Sequence, residues 1–155
     1  MPVSTAHRPF SSVITPFFLG MIAGAIASGR VPADGNGDLW SSWTGPTSWI
    51  GGALAVLTTT FLAGTFLAAD ARRGGNEALA AEMGRKSLIA GAVTGAAAIG
   101  AAVTIELDAP TLASGLHGRG LPLIVISALA GAASMWRLWH GDFARARIGA
   151  IIAVA

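Results

Sequence analysis

Four long stretches of this chain carry no charge. Pro9 to Gly29, Leu39 to Ala69, Ser87 to Ile105 and Gly120 to Trp136 hold 21, 31, 19 and 17 residues. A helix rises about 1.5 Å per residue and the hydrocarbon core of a bilayer is about 30 Å thick, so roughly 17–25 apolar residues cross it. Composition points the same way. Hydrophobic residues make up 53% of the chain and charged residues 12%, about half the usual charged share. A water-soluble fold this small needs more charge to cover its surface. The net charge of +2 is too small to make nucleic acid a natural partner. Cysteine is absent, which excludes disulfides and thiolate metal sites.

The windows are apolar all round rather than alternating with period two, so helices are favoured over the strands of an outer-membrane barrel. A helix also satisfies every backbone N–H and C=O within its own segment, as lipid requires. The expected fold is all-α: a polytopic transmembrane helical bundle with four complete spans plus the start of a fifth. The spans are placed at about 11–28, 48–69, 87–105 and 121–138, with a partial one at 146–155, after a tail at 1–9. Pro46 lies just before span two, Pro110 follows span three and Pro122 opens span four, positions where a missing N–H is tolerated. Pro16 falls in the first turns of span one, where a bend is expected. Trp40, Trp43, Trp49, Trp136 and Trp139 all lie near span ends, as an interfacial belt would place them.

Basic residues set the orientation. Arg8, Arg72, Arg73, Arg85, Lys86, Arg137, Arg145 and Arg147 fall on one side, and Arg30 and Arg119 on the other. The N-terminus and the Asp70–Lys86 loop are therefore expected on the cytoplasmic side. The Gly29–Thr47 and Glu106–Gly120 loops are expected outside. The closing run IGAIIAVA starts another apolar segment and stops after eight residues, so the chain reads as a fragment. Arg8 and the apolar run behind it resemble a signal peptide, but the length of that run and the three spans that follow favour a first membrane helix.

Small residues recur at four-residue spacing: Gly20 and Gly24 in span one, Gly91 and Gly95 in span three, Ser127 and Gly131 in span four. In lipid there is little hydrophobic drive between helices, and close backbone approach supplies the attraction. These residues, together with Gly29, are the expected helix-packing positions, against helices of this chain or of another subunit.

Other patterns fail their own requirements. Asp34, Asn36 and Asp38 start like a calcium loop, but its sixth and twelfth positions are Leu39 and Gly45 instead of Gly and Glu. The glycines of SGLHGRG lack the strand and nucleotide domain of a phosphate loop. His7, His117 and His140 all lie outside the spans, whereas a buried bis-His haem needs imidazoles projecting into the bundle. Met21 reads as apolar filler. No span interior holds an acid or base, so no proton relay is visible. Glu106 and Asp108 mark the exit of span three from lipid, with a proton mouth as the alternative. Thr58, Thr59 and Thr60 lie mid-span, where hydroxyls bond back to the preceding turn. Together with Pro16 they are the only features leaning toward the alternative reading, a fragment of a helical membrane transporter.

TPFFLGMIAGAIASGRVP followed by WSSWTGPTSWIGGALAV resembles the middle of subunit II of cytochrome bd-type quinol oxidases. The likeness continues through FLAADARRGG, IELDAPTLASGLHGRGLPLIVISALAG and RLWHGDFARARIGA, covering nearly everything from Phe10 to Ala155. Gly20, Gly24, Gly29, Pro32, Pro46 and Gly51 carry it. Family members often have Asn before that proline, where this chain has Gly45. The resemblance implies an accessory, non-haem subunit of a bacterial inner-membrane oxidase that oxidises quinol and reduces dioxygen to water. It implies haems b and d and the main quinol site in the partner, subunit I, whose assembly this subunit supports. No cofactor and no catalytic residue are expected in this chain. The early helices, whose acidic residues serve proton access in the family, are expected to be missing, so no such residue transfers.

Overall fold

Charge ends an apolar window, but it does not end a helix. In the computed structural model, which describes residues 8–154, the helices run past the windows that betrayed them. The chain orders as α1 (Arg8–Ala27), α2 (Pro46–Arg73), α3 (Glu77–Asp108), α4 (Pro110–Gly115), a π-helical segment (Leu116–Gly120), α5 (Leu121–Trp139) and α6 (Phe143–Val154). No strand occurs among the described residues. Among the described residues, four helices are long and apolar enough to cross a membrane: Phe10–Ala27, Pro46–Arg73, Glu77–Asp108 and Leu121–Trp139. Residues 1–7, which hold His7 and most of the expected tail, lie outside the described residues, as does Ala155.

Two expected loops are corrected. Asp70–Lys86 is almost entirely helical, and only residues 74–76 turn. Gly75 takes φ +76°, and the Asn76 N–H reaches back to the Ala71 carbonyl at 3.0 Å, closing α2 with a left-handed C-cap. Asn76 Oδ1 then accepts the Leu79 N–H at 3.0 Å and opens α3 as its N-cap. Glu77 to Lys86 continues that helix because Ala, Glu, Lys and Arg are strong helix formers, and Glu82 and Lys86 pair one turn apart at 2.7 Å. The Glu106–Gly120 segment is likewise helical, with Pro110 as the first residue of α4. Pro16 lies inside α1 without ending it, and Pro46 is the first residue of α2.

The described chain divides into two compact units. One comprises the described part of Met1–Val56 with Ala97–Ala113, and the other Leu57–Ala96 with Ser114–Ala155. In the first, α1 lies antiparallel on the opening turns of α2. A Cβ added at Gly20 would fall 2.8 Å from the Gly51 carbonyl carbon and 2.7 Å from Ala55 Cβ. One added at Gly24 would fall 2.8 Å from Ser48 Cα. Met21 and Ala25 are buried in this contact, and Phe17 meets Trp49 at 5.8 Å between rings.

The second unit is centred on Phe61, Ala68, Ala69, Ala80, Leu138, Phe143, Ala146 and Ala150. The end of α2 runs antiparallel to the start of α3, with Gly64 and Thr65 against Ser87 and Phe61 against Gly91. Helices α5 and α6 form a hairpin. Gly141 (φ +73°) terminates α5, and the Asp142 carboxylate accepts the Arg145 N–H at 3.3 Å to start α6.

The interior is the reverse of a soluble core. The largest fully buried side chains are Thr65, Ser48, Ser87 and Ser134, while Phe18, Leu19, Ile99, Val103, Leu123 and Leu129 are exposed. In water the big apolar groups would be inside. Here small groups let backbones close on one another, and the large ones face outward, as a lipid solvent demands.

Candidate functional site

Asp108, at the end of α3, gathers bonds from two other segments of the first unit. Its Oδ2 accepts the Thr47 N–H at 3.1 Å and the Thr47 hydroxyl at 2.6 Å. Its Oδ1 pairs with the Arg30 guanidinium. The Asp108 side chain is only 12% exposed, so these partners take most of its lone pairs. Thr47 is the second residue of α2, whose first N–H groups have no partner within the helix. The carboxylate fills that role from another helix, and its charge suits the positive end of the α2 dipole. Arg30 reaches the site because Gly29, at φ +73°, turns the chain sharply after α1. Gly45 leaves it room: an added Cβ there would lie 2.8 Å from Arg30 Cδ. Three chain segments therefore converge on one carboxylate.

The loop beside this clamp carries its own acid. Asp38 Oδ1 accepts the N–H groups of Trp40 at 2.9 Å and Ser41 at 2.8 Å. These bonds, that of Ser41 foremost, hold its carboxyl below the usual aspartate range. Asp34 is likewise turned onto Asn36. Both acids serve their own loop, which agrees with reading the segment as a polar turn.

The second unit carries buried hydroxyl bonds between helices. Thr65 and Ser87 lie 2.7 Å apart, and Ser87 donates to the Phe61 carbonyl at 2.9 Å. Ser134 donates to the Ala146 carbonyl at 2.7 Å, and Ser127 to the Ala153 carbonyl. At the arginine-rich end, Arg72 donates to the Gly141 carbonyl at 2.7 Å and stands 5.5 Å over the Phe143 ring. Arg147 lies 5.1 Å over Phe66.

The expected packing residues divide. Gly20 and Gly24 meet the backbone of α2, and Gly91 sits under Phe61 and Met135 with ring atoms 3.0 Å from an added Cβ. Ser127 and Gly131 face α6 at Ala153. Gly29 takes φ +73°, a left-handed turn that glycine adopts without penalty, and an added Cβ there meets nothing within 4 Å. At Gly95 an added Cβ meets nothing within 4 Å. Gly51, Gly52, Gly64, Gly149, Thr65, Ser87, Ser134 and the Asp108 clamp were not legible as contacts. Ser87 and Ser134 had one available signal, being isolated hydroxyls inside or at the edge of uncharged windows.

Among the described residues, no group of three or more His, Cys, Asp or Glu could hold a metal. His140 sits exposed at the end of α5 with Nδ1 2.8 Å from the Trp136 carbonyl and its ring 4.4 Å from that indole. What the geometry does supply is attachment: helix ends clamped by charge, and helix faces joined by glycine and hydroxyl.

These features define a multi-pass helical membrane protein whose polar groups hold helices together. A family model described as cytochrome bd terminal oxidase subunit II matches residues 5–155. The chain belongs to that family and is a respiratory oxidase subunit. No curated protein and no solved structure matches it.

Proposed function

We propose that this chain is the accessory, non-haem subunit of a quinol:oxygen oxidoreductase in the aerobic respiratory chain, supporting assembly of a haem-bearing subunit I. The observation that carries this reading is the family match over residues 5–155. In the complex, quinol is oxidised to quinone and dioxygen is reduced to water. The haems b and d that supply this chemistry, and the quinol site, belong to the partner. This chain contributes helix faces. Only 11% of the apolar α3 window is buried within the chain, which leaves most of that helix for lipid or for another subunit. Gly95 and Gly100 sit on its open surface and suit close approach by a partner helix.

The proposed setting is the bacterial inner membrane, with the turn after α2 on the cytoplasmic side. The distribution of Lys and Arg supports that orientation. Co-expression with a haem-bearing subunit I of this oxidase type tests the proposal. The pair should co-purify, show haem absorbance and take up oxygen when given quinol, and this chain alone should show neither signal. Full haem content and oxygen uptake by subunit I without this chain would refute it.

A further inference from the structure

An apolar groove of about 420 Å³ runs between α5 and α6, lined by Ala130, Ala133, Ile148 and Ile152 and ending at Arg137 and Arg145. The two guanidinium groups share one counter-ion, Asp142 Oδ2, at 3.6 and 3.5 Å. The other oxygen of that carboxylate is taken by the first turn of α6. Two cations against one shared anion leave the mouth of the groove positive. Trp136 and Trp139 stand exposed on the same end of α5, and tryptophan prefers the headgroup layer. The mouth thus lies at the depth where lipid phosphates lie.

We propose that this groove is a site for one anionic diacyl phospholipid. Its phosphate sits between Arg137 and Arg145, and one acyl chain runs along Ala133 and Ile152. A tail in the groove gains little over a tail in bulk lipid, since both surroundings are apolar. Selection therefore rests on the headgroup. Guanidinium groups bind phosphate through paired, charge-assisted hydrogen bonds, and basic pockets between membrane helices take anionic headgroups for this reason. A zwitterionic headgroup brings its own ammonium against the same two cations and is disfavoured.

The test uses the full chain in maltoside micelles, titrated with palmitoyl-oleoyl phosphatidylglycerol or the matching phosphatidylcholine and read by native mass spectrometry. Phosphatidylglycerol is expected to bind roughly tenfold more tightly, the scale set by basic side chains facing a headgroup of net negative charge. R137Q/R145Q should abolish the preference. R145Q alone changes an exposed side chain, keeps the Arg137–Asp142 pair and should still weaken the preference, so misfolding of the double variant cannot decide the matter. R85Q, on α3, should leave it intact. Equal binding of the two lipids, a preference undiminished in R145Q, or an equal loss in R85Q would overturn the proposal. A photoreactive residue at Ala133 in native membranes should crosslink to phospholipid, and crosslinking to polypeptide instead would overturn it too.

Discussion

The carboxylate of Asp108, the last residue of α3, lies over the first turn of α2 and accepts both the N–H and the hydroxyl of Thr47, 61 residues earlier in the chain. At the end of its own helix an acid faces the negative pole of the dipole, an unfavourable place. The start of α2 and the Arg30 guanidinium reverse that balance. Removing the carboxylate leaves the Thr47 donors and a half-buried arginine without a partner. Asp108→Ala should destabilise the folded chain by about 1–3 kcal/mol, the scale for orphaning buried donors. Asp108→Asn keeps an acceptor for Thr47 and should cost less. Arg30→Gln should add little once Asp108 is Ala. Thermal unfolding in detergent, followed by helical circular dichroism, measures all three; an unchanged midpoint in Asp108→Ala would rule the clamp out as a stabilising element.

Glycines of similar spacing should behave differently. Gly20→Ala drives a methyl into the Gly51 backbone, which cannot rotate away, and should cost about 1–3 kcal/mol, the usual range for overpacking. Gly95→Ala meets open space within the chain and should be neutral, or stabilising by up to about 1 kcal/mol from helix propensity. The same thermal measurement separates them, and equal losses at both positions would contradict the packing described.

The Asp38 turn should titrate. Its carboxyl is held low by the Ser41 and Trp40 amides. Its contribution to stability is therefore full above the unfolded aspartate value of about 3.9 and fades as pH falls through the lower folded value. Carboxyl-carbon NMR should find its midpoint below the ordinary one, with the Trp40 and Ser41 amide shifts moving at the same pH. A midpoint at or above the ordinary value would contradict the turn geometry.

Much of the fold was readable because charge and proline punctuate lipid-crossing helices. Pro46, Pro110 and Pro122 all fall at helix starts. The stretch from Glu77 to Lys86 misled because its charges announce the water boundary, while the helical chain breaks only at residues 74–76. Gly29 holds a second signal that sequence hides: a glycine just past a span reads as packing, and only its φ of +73° shows the turn it makes. The Asp108 clamp could not be read at all. Its three members, Arg30, Thr47 and Asp108, are far apart in sequence, and no local period links them.

The central claim is that the uncharged helices are surrounded by lipid, and the absence of cysteine permits a direct test. Val93 and Leu129 are exposed in the folded chain, so its own packing cannot shield a thiol placed there. Single variants Val93→Cys, Leu129→Cys, Asn36→Cys and Gly75→Cys would be treated in membranes with a water-soluble maleimide. The account predicts rapid labelling of Asn36→Cys from outside intact cells, labelling of Gly75→Cys only after permeabilisation, and almost none at Val93→Cys or Leu129→Cys until detergent is added. Labelling of the two mid-helix thiols as fast as Asn36→Cys in intact membranes would contradict it.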